Sequence, residues 1–250
     1  MNQKNKFKSV VYNKSLQMTL ELNLIDFKRY SGKYIVIDMN GKGKEYNSYN
    51  NKLLFEGEYI KGKRNGIGKE YNEEDKLIFE GVYINNKRNG KGKEYDKYGE
   101  LIFEGDYLNG ERSGKGKEYS DNNKIIFEGE YLNSKRKKGK EYNCDGKLIF
   151  EGEYLNNKWW NGFIKEYKYK DKLIFEGEYI YGKKIRGKEY NYKGELMFEG
   201  EYYDNKWWIG KGKEFDSNGQ LLFEGEYKYN HKYKGKGYCD GKLVFEGEYL

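Results

Sequence analysis

Three observations predict an all-β fold, an elongated single-layer antiparallel meander of tandem β-hairpins. Phe-Glu-Gly recurs nine times, beginning at Phe55, Phe79, Phe103, Phe127, Phe150, Phe175, Phe198, Phe223 and Phe245, at intervals of 22 to 25 residues. Each interval holds two runs of strand-like alternation and has no room for a helix. Finally, the 33 glycines sit at repeated places in a chain without alanine or proline, as expected where the backbone needs close approach or unusual dihedrals.

Residues 1–29 precede the array. The alternation Leu16, Met18, Leu20, Leu22, Leu24 predicts a strand capping the first hairpin, as terminal units of repeat proteins often differ from the rest; Leu16, Leu20, Leu24 and Phe27 would equally line one face of a helix. This segment lacks the continuous apolar run of a signal peptide, and no stretch of the chain approaches the ~20 apolar residues of a membrane span.

From residue 30 to 250 about ten units follow, counting a degenerate first one at Tyr30-Ser31-Gly32-Lys33-Tyr34. In the unit from Lys76, Leu77, Phe79, Gly81 and Tyr83 share one face and Ile78, Glu80 and Val82 the other; Asn85-Asn86-Lys87-Arg88-Asn89 turns the chain, and Gly90-Lys91-Gly92-Lys93-Glu94-Tyr95 returns. A single layer cannot bury residues between two sheets, so stability must come from aromatic and β-branched neighbours stacked across strands, at ~0.2–1 kcal/mol per pair. Gly57, Gly66 and Gly68 are expected to make room for rings, and the repeated Glu and Lys to pair across strands on the solvated side.

These units resemble MORN repeats, whose pattern is aromatic-x-Gly-x-aromatic, a turn with Gly, then Gly-x-Gly. Phe103-Glu104-Gly105-Asp106-Tyr107-Leu108-Asn109-Gly110-Glu111-Arg112-Ser113-Gly114-Lys115-Gly116 follows it almost throughout. The chain departs from the pattern where the turn glycine of Gly62 and Gly110 becomes Asn86, Ser134, Asn157 and Asn205, and where the second glycine is lost after Gly162; the sequence leaves the hairpin geometry open there. The resemblance implies scaffolding, protein interaction, dimerisation and, in some members, attachment to phospholipid. It also implies two alternatives: a regulatory or accessory module of a separate enzyme such as a lipid kinase, or an antitoxin or immunity-type binding protein.

Charge narrows the partners. With 48 basic and 41 acidic residues, net +7, and no long block of one sign, a dedicated nucleic-acid binder is not expected. The loops joining the two strands are basic: Lys61, Lys63 and Arg64; Lys87 and Arg88; Arg112; Lys135, Arg136, Lys137 and Lys138; Lys183, Lys184 and Arg186; His231 and Lys232. A row of such loops would face an anionic phospholipid surface or an acidic protein, or would serve only solubility. Two loops carry paired tryptophans, Trp159-Trp160 and Trp207-Trp208, spaced 48 residues apart within a duplication of residues 129–176 as 177–224. Aromatics beside lysines suit an interaction hot spot or a membrane interface, or tips folded back over the sheet. Val244, Phe245 and Tyr249 lie on a last, incomplete unit, which predicts an open edge and a homodimer through the C-terminal repeats.

Chemistry is sparse. The single histidine, His231, cannot support a base-and-orienter pair or a His-based metal site, and the Gly-Lys-Gly-Lys runs lack the Gly-Lys-Ser/Thr of a phosphate loop. No enzyme activity and no cofactor are expected. Cys144 and Cys239, both followed by Asp-Gly-Lys-Leu, read as duplicated turn residues rather than a disulfide, which fits a cytoplasmic protein, peripheral to membrane or cytoskeleton.

Overall fold

A computed structural model describes residues 32–168 and 172–249. The expected cap over residues 1–29, and Tyr30 and Ser31 of the first unit, lie outside the described residues. Every described element is a strand: β1 (Lys33–Ile37), β2 (Lys42–Asn47), β3 (Leu53–Ile60), β4 (Lys63–Tyr71), β5 (Leu77–Ile84), β6 (Lys87–Tyr95), β7 (Leu101–Leu108), β8 (Glu111–Tyr119), β9 (Ile125–Leu132), β10 (Lys135–Tyr142), β11 (Leu148–Leu155), β12 (Lys158–Lys168), β13 (Lys172–Ile180), β14 (Lys183–Tyr190), β15 (Leu196–Tyr203), β16 (Lys206–Phe215), β17 (Leu221–Lys228), β18 (His231–Cys239) and β19 (Lys242–Glu248). Each pairs with its neighbours in sequence in one 19-stranded sheet without crossovers. Contacts divide the chain into two compact units, up to Gly114 and from Lys115.

Two turn chemistries drive the meander. The tip of each hairpin is a two-residue turn with both residues left-handed: Lys61 and Gly62, Asn85 and Asn86, Asn109 and Gly110, Asn133 and Ser134, Asn156 and Asn157, and Asp204 and Asn205, all at φ between 49° and 98°. This is the type I′ pattern, whose twist matches that of the strands. The positions where glycine is replaced therefore keep the same geometry, because Asn tolerates the left-handed region. Asn adds a clasp as well: Asn86 Oδ1 accepts from the Arg64 amide and Asn157 Oδ1 from the Arg136 amide, each at 2.8 Å, on the preceding hairpin.

The return turns are longer. Asn72, Asp96, Asn143, Asn191 and Asp216 each accept two backbone N–H groups through one side-chain oxygen at 2.8–3.1 Å. A left-handed residue, such as Asp75 or Gly99, closes each turn. Cys144 sits in one of them, whereas Cys239 ends β18 beside the two-residue turn Asp240-Gly241; both thiols are free and exposed. The shared Cys-Asp-Gly-Lys-Leu string thus serves two different turns.

The core is a one-face aromatic zipper. Eight of the Phe-Glu-Gly phenylalanines, from Phe55 to Phe223, are at most 1% exposed. Seven of them, all but Phe175, meet the tyrosine four residues on, edge to face, and most meet the tyrosine of the following hairpin. In the first unit the chain of rings runs Tyr59, Phe55, Tyr83, Phe79, Tyr107, Phe103, with centroids 4.9–5.7 Å apart. In the second, Phe127, Tyr154 and Phe150 repeat it.

Glycines make the zipper fit. The Phe-Glu-Gly glycine faces a glycine on the next strand, as in Gly57 with Gly68, Gly81 with Gly92, Gly129 with Gly139 and Gly152 with Gly162, and the Phe ring lies across both. Gly66 differs from the expectation. A side chain there would strike Glu58 rather than a ring, and its φ of 110° shows that it is needed for the left-handed step of a bulge. In β12 and β16 the glycine register steps by two residues: Gly162 faces Gly152, but Ile164 faces Gly177, and Gly210 faces Gly200 while Gly212 faces Gly225. Ile164 is completely buried by this step.

Candidate interaction surface

The second residue of each hairpin's return strand points onto the phenylalanine face. Arg64, Arg88, Arg112 and Arg136 hold their guanidinium carbons 4.0–4.4 Å from the Phe55, Phe79, Phe103 and Phe127 ring centres, and Lys184 its ammonium 4.1 Å from that of Phe175. Each is also held by the glutamate of a Lys-Glu-Tyr segment. In the first unit these form a continuous ladder: Glu45, Arg64, Glu70, Arg88, Glu94, Arg112. In the second unit Arg136 bridges Glu118 and Glu141, Lys184 pairs with Glu166 and Lys232 with Glu214.

Trp159 and Trp207 occupy that same place. Their rings lie parallel on Phe150 and Phe198, 6° from coplanar at 5.0 and 4.7 Å, and their indole N–H groups donate to Glu141 and Glu189 at 2.9 and 2.8 Å. Tryptophan thus replaces arginine as a lid that stacks on the ring and bonds the carboxylate, at no cost of a buried cation.

The basic loops and tryptophan pairs consequently do not form one outward row, as the sequence alone suggested. Arg64, Arg88, Arg136, Lys184, Trp159 and Trp207 are taken up within the sheet's own face. Lys63, Lys87, Lys135 and Lys183 begin the return strands, facing the last residue of the preceding strand. Lys137 is 3.8 Å from Glu130 and Arg186 3.9 Å from Glu201; Lys138, like Arg186, is exposed on a strand. Trp160 and Trp208 sit at β-bulges just past the inward tryptophans and contact exposed tyrosines: Trp160 lies 5.3 Å from Tyr181, and Trp208 lies 4.9 Å from Tyr203 and 5.1 Å from Tyr229.

Another row escaped the sequence reading. The residue after Phe-Glu-Gly-x-Tyr is Ile60, Ile84 and Leu108 in the first unit, and Leu132, Leu155, Ile180 and Tyr203 in the second, all 38–66% exposed, before Lys228 breaks the row. Alternation puts them on the face away from the phenylalanines, and most face a lysine across the tip. The signal was in the string Tyr-Ile or Tyr-Leu before each turn, a large apolar residue in opposite phase to the buried pair.

On that same outer face lysines and glutamates alternate across strands, for example Lys165 with Glu176 at 3.2 Å and Lys213 with Glu224 at 3.4 Å. Tyr71, Tyr95, Tyr142 and Tyr190 donate to Glu56, Glu80, Glu128 and Glu176 at 2.6–2.9 Å. Burial, then the hydrogen bond to the glutamate and its charge, push these four hydroxyls up to about 12. Burial alone would raise Glu94, but hydrogen bonds from Arg112 and Tyr107 and the charges of Arg112 and Arg88 outweigh it and hold the carboxyl below its usual range. The solvated side is thus tied by ion pairs as expected. Among the described residues no group of three or more His, Cys, Asp or Glu side chains could hold a metal ion, and no helix is long and apolar enough to cross a membrane.

Val244 and Phe245 lie on β19, which pairs with β18. Phe245 is 42% exposed, unlike the other phenylalanines of its motif. Tyr249 closes the zipper against Phe223 and Phe245 at 5.3 and 4.7 Å.

A scan against protein-family models finds no match, and neither does a search of curated proteins. Among solved structures, TarM is matched at 11% identity and a TM-score of 0.29 over 61% of this chain and 26% of TarM. A TarM mutant of S. aureus in complex with Fondaparinux, alpha-GlcNAc-glycerol and UDP is matched at 11% identity and a TM-score of 0.24, over 62% of this chain and 26% of that one. The chain thus spans about a quarter of the proteins it matches, and likenesses at this level bear on neither fold nor activity.

Proposed function

We propose that this is a non-enzymatic scaffold or adaptor of MORN type, a repeated binding surface that mediates protein-protein interaction, with an anionic membrane as a second setting. The observation that carries the reading is the recurrence, within each unit, of exposed Ile and Leu at successive hairpin tips, most of them facing a lysine. A recurring exposed apolar position is what a repeated interaction surface needs, and several of the sheet's carboxylates are engaged in the Arg–Glu and Tyr–Glu ladders. Each repeat would bind weakly, and avidity along the row would supply affinity.

The test is affinity capture from lysate of cells that express the protein, at low and moderate salt, beside a variant with Ile84, Leu108, Leu155 and Ile180 changed to Ser. Proteins retained by the parent and lost by the variant are expected. Equal recovery from both would remove the tip row from the reading. Vesicles with and without anionic lipid, carried through the same comparison, decide the membrane setting; binding there should weaken with salt. A dimer through Val244, Phe245 and Tyr249 is part of this proposal, and a monomeric mass in light scattering at micromolar concentration would count against it.

A further inference from the structure

The second unit carries aromatic rings at tip positions that the hairpin does not require to be aromatic. At the first turn position it places Tyr181 and Tyr229 where the first unit has Lys61, Asn85 and Asn109, and at the bulge it places Trp160 and Trp208 where other hairpins have Lys137 or Ile185. The strands close in the same way with or without the rings. Tyr203, Trp208 and Tyr229 form a ladder with centroids 4.9 and 5.1 Å apart, and Trp160 and Tyr181 a second cluster at 5.3 Å. The tyrosines are 54–69% exposed.

We infer that Trp160 with Tyr181 and Trp208 with Tyr203 and Tyr229 form two subsites for an acidic, extended peptide carrying apolar side chains. The inference rests on the scaffold reading and narrows it to one partner chemistry. Charge selects the partner's sign: Lys158 faces Leu155 and Lys206 faces Tyr203 on the same face as the rings, and neither lysine has a carboxylate partner among the described residues. Lys228 adds a third cation, 5.5 Å from the Tyr229 ring centre and 5.1 Å from that of Tyr233. Shape selects a peptide over a flat bilayer. Tyr181 and Tyr229 stand in the turns themselves, while Trp160, Trp208 and Tyr203 lie behind the tips on the strands, so the rings of each subsite are spread from tip to face rather than gathered in the single plane a bilayer would meet. The tryptophans also meet their tyrosines at 37–63°, so each subsite offers inclined ring faces against which an apolar side chain can pack. The two subsites lie four strands apart, roughly 19 Å, which about six residues of extended chain would span.

The probe is a fluorescein-labelled nine-residue peptide, Glu-Pro-Leu three times over, whose prolines prevent strand aggregation; Lys-Pro-Leu and Glu-Pro-Ser versions are controls. Fluorescence anisotropy is read for the full chain and for Trp160→Ser with Trp208→Ser, in parallel with pelleting on phosphatidylserine vesicles. Trp159 and Trp207 remain in the variant, and their emission reports that the sheet is intact. Binding of the Glu-Pro-Leu peptide alone, weakened at least about tenfold in the variant as hot-spot aromatics require, is the expected result. Binding equal to that of the Glu-Pro-Ser control, binding unchanged in the variant, or tryptophan-dependent pelleting on vesicles without peptide binding would each overturn it. If it fails while capture through the Ile and Leu row persists, the scaffold reading stands; if both fail, both go.

Discussion

Gly129→Ala tests the physical basis of the repeat most directly. A methyl group at Gly129 would lie 2.6 Å from the Gly139 Cα, 2.8 Å from the Phe127 Cζ and still closer to the Lys138 carbonyl oxygen. Two of these atoms belong to the backbone of the paired strand, and the third is the end of a ring with no exposed surface. None can swing away, so β9 and β10 must separate or Phe127 must leave its place between Tyr131 and Tyr154. Overpacking of a fitted core costs typically 1–3 kcal/mol, and the loss of a strand pair with its ring contacts puts this site at the upper end, about 3 kcal/mol.

The control is Gly146→Asn. Gly146 has φ of 83° with open space around the missing side chain, so only the left-handed backbone is at stake and Asn should cost less than about 1 kcal/mol. Because a repeat array unfolds in parts, the readout is native-state hydrogen exchange at the amides of Glu128, Glu130 and Lys140 rather than a single melting point. Protection there should fall by about two orders of magnitude for Gly129→Ala, with the Phe55 hairpin unaffected. Unchanged exchange would refute the idea that paired glycines exist to let strand and ring approach.

Other consequences are sharp as well. Trp159→Ala should destabilise its hairpin by about 3 kcal/mol, since it uncovers Phe150 and removes one of the donors to Glu141, leaving Arg136 and Tyr154, whereas Trp160→Ser should change stability by less than about 1 kcal/mol; similar values in local exchange would contradict the assignment of one as lid and the other as surface. Arg88→Met keeps an unbranched side chain over Phe79 but loses the charge and both carboxylate bonds, so it should cost less than Arg88→Ala, and equality of the two would show that packing over the ring contributes nothing. The glutamates held below their usual range, Glu45 and Glu94 among them, stabilise the fold above the unfolded carboxylate pKa, about 4.3, and that contribution disappears as pH falls through the folded values. Tyrosines raised to about 12 act in the opposite sense: their contribution is complete below the unfolded value near 10 and is lost as pH rises through 12. Stability measured by urea should therefore be flat between about pH 5 and 9 and fall on both sides, and phenolate absorbance should lag that of free tyrosine until the sheet opens.

The fold was legible because its signals are local and repeated. Period-2 alternation around Phe-Glu-Gly settled which residues of Leu77–Tyr83 share a face, and the polar segments between runs showed where the chain turns, although only Asn85 and Asn86 form the turn and Lys87, Arg88 and Asn89, expected in the loop, belong to β6. The departures at Asn86 and Asn157 left the turn undecided in the sequence, since whether Asn substitutes for Gly depends on what the neighbouring hairpin offers its side chain; here that is an amide of the previous return strand. The role of Gly66 was misread for a similar reason, because a glycine beside a bulge and one beneath a ring look alike in one dimension.

The candidate site shows the same division. The sequence by itself determined the architecture, the core face and the presence of cations and tryptophans at the tips, because alternation and turn chemistry act over a few residues. Only the tertiary structure decided which of those groups remain available. Arg64, Arg88, Arg136, Lys184, Trp159 and Trp207 are drawn inward by rings on their own hairpin and glutamates on that hairpin or an adjacent one, so their partners lie up to 19 residues away in sequence. Ile60, Ile84 and Leu155 are left outward because, among the described residues, no element lies over the second face of the sheet.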